Sequence, residues 1–142
     1  MLATGTIGVA AAGDVLLGPL NGVFFTDAST SKPTYANHLE ASNTATDIVG
    51  FVADDPYERF EVQSAGTPAQ TNIGNCADIS YTAGASPNYV SKVEISGTMA
   101  AGTAQLKIIG VSRDPDNNEL GSANTNLIVS INEHFLKATA GI

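Results

Sequence analysis

Short apolar runs separated by polar, turn-rich segments follow one another along most of this chain. The clearest pair is Leu106–Val111 and residues 127–131, which flank a polar loop at residues 113–121. In the second run the apolar residues alternate with polar ones such as Ser130 and lead to Asn132, a period of two that is typical of a strand with one buried face. Strand, turn-rich loop and strand together predict a long β-hairpin.

The middle of the chain carries two further strand patterns. Residues 47–53 form a run with apolar side chains on both faces, and the Asp-Asp-Pro sequence at 54–56 ends it, because proline lacks the N–H that a sheet ladder needs. Residues 59–63 resume with clean alternation of apolar and polar side chains. We expect these two strands to pair with each other as a second hairpin around the DDPYE turn.

Weaker patterns fill the rest of the chain. β-prone runs between turn-forming residues predict further short strands at residues 6–9, 14–17, 23–25, 76–81 and 89–95, with a loop at residues 27–33. Single helical turns are expected at residues 67–73 and 123–126. No segment sustains the three-four apolar repeat of an amphipathic helix, so the crossover helices of an α/β fold have no sequence to occupy.

The sum of these patterns, about seven to nine short strands, predicts an all-β fold. We expect a single-domain antiparallel β-sandwich or partly open β-barrel with long hairpin loops. Because 142 residues is the length of one ordinary domain, residues 1–142 are predicted to form a single β domain. The first ~20 residues are interpreted as an extended arm or a partial leader.

Composition and charge narrow the classes of function. Only 14% of the residues are charged, and the net charge is −8 with six Lys and Arg residues spread singly. A nucleic-acid-binding protein needs clustered basic residues to neutralise phosphates, so direct contact with nucleic acid is disfavoured. No apolar run approaches the ~20 residues of a membrane span, and no basic segment of a secretory signal opens the chain. The pattern is typical of a protein made in a reducing cytoplasm.

Candidate catalytic residues are few. Cys76 is the only cysteine and no histidine lies near it in sequence, so we interpret it as a small core residue rather than a nucleophile or a metal ligand. His38 and His134 stand in no zinc-binding frame, and His134 is expected at the rim, hydrogen-bonded to backbone. The GxSxG, P-loop and GxGxxG motifs are missing from the sequence. We therefore expect no enzymatic activity and no cofactor.

One acidic group lies in and after the Asp-Asp-Pro turn. Its carboxylates have the chemistry to bind Ca²⁺ or to act as a catalytic acid–base pair. Turn formation and the solvent side of a strand explain the same residues without a ligand, and this second interpretation is favoured. The group consists of Asp54, Asp55, Glu58 and Glu61.

A second polar group, Asp114, Asp116 and Asn118, has the first three spacings of a calcium-binding loop. Glu119 stands where that loop needs glycine, and Thr125 where it needs glutamate. A turn is therefore favoured over a calcium site. A calcium- or carbohydrate-binding module that uses either acidic group stays an alternative function.

Two landmarks indicate a family. The first landmark is the strand that ends in Asp-Asp-Pro at 54–56 and is followed by a Phe-Glu-Val-Gln strand at 60–63. The second is the Asp-Pro-Asp-Asn loop at 114–117, which leads to a strand that closes with Asn-Glu-His at 132–134. With these landmarks, and with the loop at 26–33, residues 47–64, 74–79 and 106–136 resemble small all-β head proteins of tailed bacteriophages that act as capsid decoration, or cement, proteins.

This resemblance implies a non-enzymatic virion structural protein that binds the outer surface of an icosahedral head as a homotrimer and stabilises it. It implies the phage major capsid protein as partner, assembly in the host cytoplasm, a final location on the capsid exterior, and no cofactor, membrane or nucleic-acid contact. The candidate interface residues lie in the two landmark turns and are Asp54, Asp55, Tyr57, Glu58, Arg113, Asp114, Asp116, Asn117 and Asn118. Another virion β-module, such as a head-fibre base, a tail component or a receptor-binding component, is the closest alternative.

Overall fold

The regular structure of residues 5–137 consists of short β-strands and one 3₁₀ turn. The structure, a computed structural model, describes residues 5–137. Its strands are β1 (Leu20–Thr26), β2 (Pro33–Ala36), β3 (Val49–Val52), β4 (Arg59–Gln63), β5 (Cys76–Ala77), β6 (Ile79–Ser80), β7 (Glu94–Ile95), β8 (Leu106–Val111) and β9 (Asn126–Ile131). Within residues 5–137 no helix has the length and apolar character needed to cross a bilayer.

These strands form three sheets, and all pairings between them are antiparallel. The sheet orders are β2-β1-β3, β4-β9-β8-β5 and β6-β7. None of the three sheets closes on itself in the described part of the chain. The predicted all-β, antiparallel class is therefore confirmed, and open sheets are compatible with either a sandwich or an open barrel.

The chain divides into two compact units. The small unit is Leu17–Asp54 and contains the sheet β2-β1-β3. The large unit combines Met1–Leu16 with Asp55–Ile142 and contains the other two sheets.

The hairpin of β8 and β9 forms the centre of the large unit, as the sequence predicts. Leu127 and Val129 are completely buried, and Ile108, also completely buried, lies opposite Val129. Leu106 lies opposite Ile131 and extends the same buried face. Alternation places these side chains on one side of the sheet, where their removal from water stabilises the unit.

Strand β4 pairs with β9, and this pairing corrects the prediction of a second hairpin. Phe60 lies opposite Val129 and Val62 opposite Leu127, so the apolar side chains of β4 widen the face formed by the β8–β9 hairpin. β3 pairs instead with β1 in the small unit. The strands before and after the DDPYE turn therefore belong to different sheets. Alternation of apolar and polar residues indicates which face of a strand is apolar, but it does not indicate which other strand pairs with it.

Several weaker strand predictions are wrong or too long. Residues 6–9 form no strand, and of residues 14–17 only Leu16 makes a bridge, parallel to His134, because small residues and turns leave this segment without an adjacent strand. The expected strand at 76–81 is interrupted at Asp78, and β5 and β6 belong to different sheets. Only Glu94–Ile95 of the expected strand at 89–95 is strand.

The predicted helical turn at residues 67–73 is confirmed as a 3₁₀ turn at Gln70–Asn72. The one expected at 123–126 is wrong, since a non-helical turn there leads directly into β9.

In the small unit, β1 is the central strand. Val23 and Phe25 are buried on one face, and the loop after the strand is the one that the sequence predicts at residues 27–33. Asp27 Oδ1 accepts the main-chain N–H groups of Ser29 and Thr30, both at 2.8 Å. The Ser29 and Thr30 hydroxyls also donate to it. These hydrogen bonds, the Ser29 hydroxyl first among them, lower the pKa of Asp27 from 3.8 to about 2.

Candidate interaction surface

The polar loop between β8 and β9 is fastened at its base by a side-chain network. Glu61 Oε1 on β4 accepts hydrogen bonds from the Ser112 hydroxyl at 3.0 Å and from the Asn126 amide at 2.9 Å. The Asn126 side-chain oxygen in turn accepts the Asn117 amide at 2.7 Å. Ser112 is 2% exposed and also accepts the main-chain N–H of Asp114 at 3.1 Å. Glu61 on β4, Asn126 on β9 and Ser112 directly after β8 therefore hold the base of the loop together.

A second set of hydrogen bonds holds the other end of the loop. Thr125 is buried, and its hydroxyl donates to the Glu119 carbonyl at 2.7 Å and lies 3.0 Å from the Ser122 carbonyl. The N–H of Gly121 donates to the Pro68 carbonyl at 2.8 Å. Hydrogen bonds therefore hold the loop at both of its ends.

The candidate interface residues of this loop divide into two groups. Arg113, Asp114 and Asp116 are exposed and available to a partner. Asn117 and Asn118 are half-buried, and the Asn117 side chain is used inside the loop. The loop therefore presents fewer free polar side chains than the sequence predicts.

The geometry of the loop also explains its calcium-like spacing. Asp114 Oδ1 accepts the main-chain N–H of Asp116 at 3.1 Å, which is an aspartate turn. Thr125, at the position where a calcium loop needs glutamate, closes the loop through main-chain carbonyls. Within residues 5–137 no group of three or more His, Cys, Asp or Glu side chains is arranged to hold a metal ion. The arrangement supports the interpretation as a turn.

The turn that leads into β4 is built from the other landmark. Asp55 Oδ1 accepts the N–H of Tyr57 at 2.8 Å, and the Asp55 carbonyl accepts the N–H of Glu58 at 3.3 Å. Tyr57 is 80% exposed, and the Lys137 ammonium lies 5.6 Å from the centroid of its ring. This cation–π contact leaves most of the ring accessible. Asp54 is exposed and belongs to the small unit.

The two landmark turns of the large unit do not form one patch. Arg59, which follows the Asp55 turn, lies opposite Ser130 near the end of β9, whereas Gln63 lies opposite Asn126 at its start. The loop at 113–121 enters β9 at that start. With a rise of about 3.4 Å per residue, the two turns stand at opposite ends of β9, roughly 15 Å apart along the strand.

The remaining residues singled out in the sequence have structural roles. His134 is 1% exposed, so its expected place at the rim is wrong, while its Nδ1 accepts the main-chain N–H of Leu136 at 3.0 Å as expected for a backbone contact. Cys76 is a free, half-buried thiol on β5, between Lys107 of β8 and a bridge to Ala100, rather than a core residue. His38 is half-buried, and its Nδ1 lies 2.6 Å from Asn37 Oδ1.

The small unit carries a surface that the pattern of apolar and polar residues did not predict. Tyr35 on β2 and Val49 on β3 both lie opposite Phe24 on β1, and Phe51 on β3 lies opposite Gly22. Residues directly opposite each other share a face of an antiparallel sheet, so these side chains stand together. We call Phe24, Tyr35, Val49 and Phe51 the aromatic face.

Contacts across the aromatic face are close. The ring centroids of Phe24 and Tyr35 are 4.7 Å apart, and those of Tyr35 and Phe51 are 6.2 Å apart with the rings inclined by 19°. Tyr35 and Phe51 meet across the central strand at Gly22, which has no side chain between them. Tyr35 is 74% exposed, Val49 51% and Phe51 47%. Pairs of this kind stabilise the sheet and leave an apolar surface in contact with water.

The signal for this face was present in the sequence but ambiguous. In Val23-Phe24-Phe25 and in residues 47–53, consecutive apolar residues point to opposite sides of a strand. Such runs are typical of strands buried on both faces, so they do not by themselves indicate an exposed apolar surface.

Comparison of the chain with known proteins finds no matching family model, no matching curated protein and no matching solved structure.

Proposed function

We propose that this protein is a non-enzymatic structural protein of a bacteriophage virion. In this role it decorates the outer surface of the icosahedral head as a homotrimer and stabilises the shell. The observation that carries the proposal is the aromatic face, an apolar surface on an open sheet that is suited to packing against another protein. The resemblance of the two landmarks to phage head proteins supports the same role.

The size of the aromatic face fits the centre of a protein interface. An aromatic side chain offers ~150–250 Å² of surface. The exposed fractions of Tyr35 and Phe51, 74% and 47%, therefore leave on the order of 200 Å² of ring surface in water. A stable interface needs about 800 Å² from each partner. The aromatic face would thus form the apolar core of a contact whose rim is supplied by neighbouring polar residues.

The polar loop of the large unit suits a second contact. A loop held by Glu61, Ser112 and Thr125 loses little conformational freedom when a partner binds it. Its exposed Arg113, Asp114 and Asp116 can pair with charged groups on the partner. With a net charge of −8, the chain complements basic patches on a major capsid protein.

Binding to heads tests the proposal directly. Heads from a phage in which the gene has been deleted are mixed with the purified protein, sedimented, and heated to follow DNA release. We expect saturable binding at a fixed ratio to the capsid protein, a higher temperature of DNA release, and a trimer by native mass spectrometry. A protein that stays monomeric and leaves the heads unchanged contradicts the proposal. Sedimentation with tails instead of heads replaces it by the tail-component alternative.

A further inference from the structure

Gln105, just before β8, has a completely buried side chain whose hydrogen-bonding groups are all engaged. Its Oε1 accepts the N–H of Ile79 at 2.9 Å, and its Nε2 donates to the carbonyl of Ala11 at 2.8 Å and to that of Asp14 at 2.7 Å. A buried N–H without an acceptor costs free energy, so both donors of this amide depend on one short segment. Gln105 therefore acts as a receptor for residues 11–14.

Residues 11–14 form a turn whose shape fits that receptor. The N–H of Asp14 donates to the Ala11 carbonyl at 3.2 Å, and Asp14 Oδ2 accepts the N–H of Ala11 at 2.7 Å. Gly13 has a φ of +83°, a conformation that glycine adopts without strain. The turn is closed by its own hydrogen bonds and presents two carbonyl oxygens to a single nitrogen. The same nitrogen holds both ends of the turn, so its release leaves the turn to its own two hydrogen bonds, whose amides then exchange more readily.

Leu16 attaches the next part of the chain to the large unit. Its N–H donates to the Glu133 carbonyl at 2.9 Å, and its carbonyl accepts the N–H of Phe135 at 2.8 Å. The half-buried Leu16 side chain packs against the core of the unit. This attachment rests on apolar contact as well as hydrogen bonds and is therefore firmer than the turn that precedes it.

Residues 5–15 bury little surface of their own. All of them except the half-buried Ala10 are exposed, and the segment contains no regular secondary structure. By contrast, Leu127 and Val129 in the core are completely buried. Local opening requires less free energy where fewer apolar side chains are buried. Opening of this segment therefore requires less free energy than opening of the core.

We infer that residues 5–15 form a strap that opens and closes as one unit, with Gln105 as its latch and Leu16 as its hinge. The strap is also one wall of an open cleft of about 530 Å³, whose opposite wall includes Ile79, Ser80 and Tyr81. Opening removes that cleft and bares the two amide donors of Gln105. The inference concerns motion within the large unit and stands independently of the proposed role on a phage head.

Hydrogen exchange of single amides, followed by NMR on the full chain, tests the strap. In the unaltered protein, the amides of Ala11 and Asp14 should share one protection factor, lower than that of Leu16 and Phe135 by at least about tenfold. Gln105→Glu keeps the acceptor for Ile79 and removes both donors to the strap. We expect it to accelerate exchange at Ala11 and Asp14 by a further tenfold or so while Leu16 changes less than about twofold.

Asp14→Ala serves as a second variant, because it opens the turn from an exposed position and leaves the core untouched. The amide of residue 14 should again exchange about tenfold faster. Asp116→Ala, at an exposed carboxylate in the loop between β8 and β9, is the matched control and should leave the strap unchanged. Unequal protection of Ala11 and Asp14 in the unaltered protein, acceleration of Leu16 in step with them, or no response to either variant would overturn the inference.

Discussion

Asp47 holds Thr26 through both of its carboxylate oxygens. Oδ1 accepts the main-chain N–H of Thr26 at 3.0 Å, and Oδ2 accepts its hydroxyl at 2.6 Å. The pair joins the end of β1 to the chain that enters β3. The same hydrogen bonds, that of the hydroxyl first, lower the pKa of Asp47 from 3.8.

Removing this pair should loosen the small unit. Asp47→Ala deletes both acceptors and is expected to lower the melting temperature of the protein and to speed amide exchange at Thr26 and in β3. Asp54→Ala, another exposed aspartate of the same unit, is the control and should change neither. Equal effects of the two substitutions would show that the Asp47–Thr26 pair does not hold the strands together.

A fall in pH should destabilise the small unit, because the pKa values of its Asp27 and Asp47 carboxyl groups are lowered in the folded state. A group whose folded pKa is depressed stabilises the protein above its unfolded pKa and loses that contribution as pH falls through the folded pKa. For Asp27 this window runs from 3.8 down to about 2. Melting temperatures measured between these pH values should fall less steeply for Asp27→Asn, which cannot ionise, than for the unaltered protein. Parallel curves contradict the role of Asp27.

The β8–β9 core should be the most sensitive part of the large unit. Leu127→Ala removes a completely buried side chain and should cost about 2–5 kcal/mol of unfolding free energy. Ile109→Ala on the more open face of β8 should cost far less. Urea unfolding followed by fluorescence or circular dichroism measures both. Similar losses of unfolding free energy at the two positions would show that the buried face of the β8–β9 hairpin is not the core of the unit.

Loss of the hydrogen-bond network at the base of the polar loop should lower the free energy of unfolding less than loss of a core side chain does. Ser112→Ala removes the donor to Glu61 and the acceptor for the Asp114 N–H, and should cost about 1 kcal/mol. It should also make the loop at 113–121 a preferred site of proteolytic cleavage. Ser80→Ala, at an exposed serine, is the control. If the loop resists protease as well as before, its remaining hydrogen bonds, such as those of Thr125, are sufficient to keep it ordered.

The aromatic face should control association if it is the core of an interface. Tyr35→Ser and Phe51→Ser are expected to weaken trimer formation or head binding by at least about tenfold each. Tyr81→Ser is the matched control, since Tyr81 is 48% exposed and Phe51 47%. Circular dichroism verifies the fold of each variant, and native mass spectrometry with head sedimentation measures association. If the protein that carries both Tyr35→Ser and Phe51→Ser still associates fully, the aromatic face is not part of the interface.

Strand identity was readable from the sequence where one face of a strand is buried. The alternation at Arg59–Gln63 and in the β8–β9 hairpin predicted those strands because every second side chain enters the core. The partner of β4 was not readable, since Phe60 and Val62 would match any apolar strand. The β-prone residues 6–9 failed as a strand because no strand of the described residues pairs with them.

The candidate surface was only partly readable for a related reason. Turn residues placed Arg113, Asp114 and Asp116 in an exposed loop, as the structure has them. The aromatic face arises from three strands that are distant in sequence, and Gln105 meets Ala11 across an even longer separation. Such contacts depend on the assembled fold, which local patterns of polar and apolar residues do not encode.

The positions of the two turns at opposite ends of β9 have a mechanical consequence. β4 and β9 run antiparallel through five paired positions, from Arg59 opposite Ser130 to Gln63 opposite Asn126. Tension applied between the turn before β4 and the loop before β9 pulls the two strands past each other along their length. The ladder then bears the load in shear, on all of its hydrogen bonds at once, instead of opening like a zipper one bond after another.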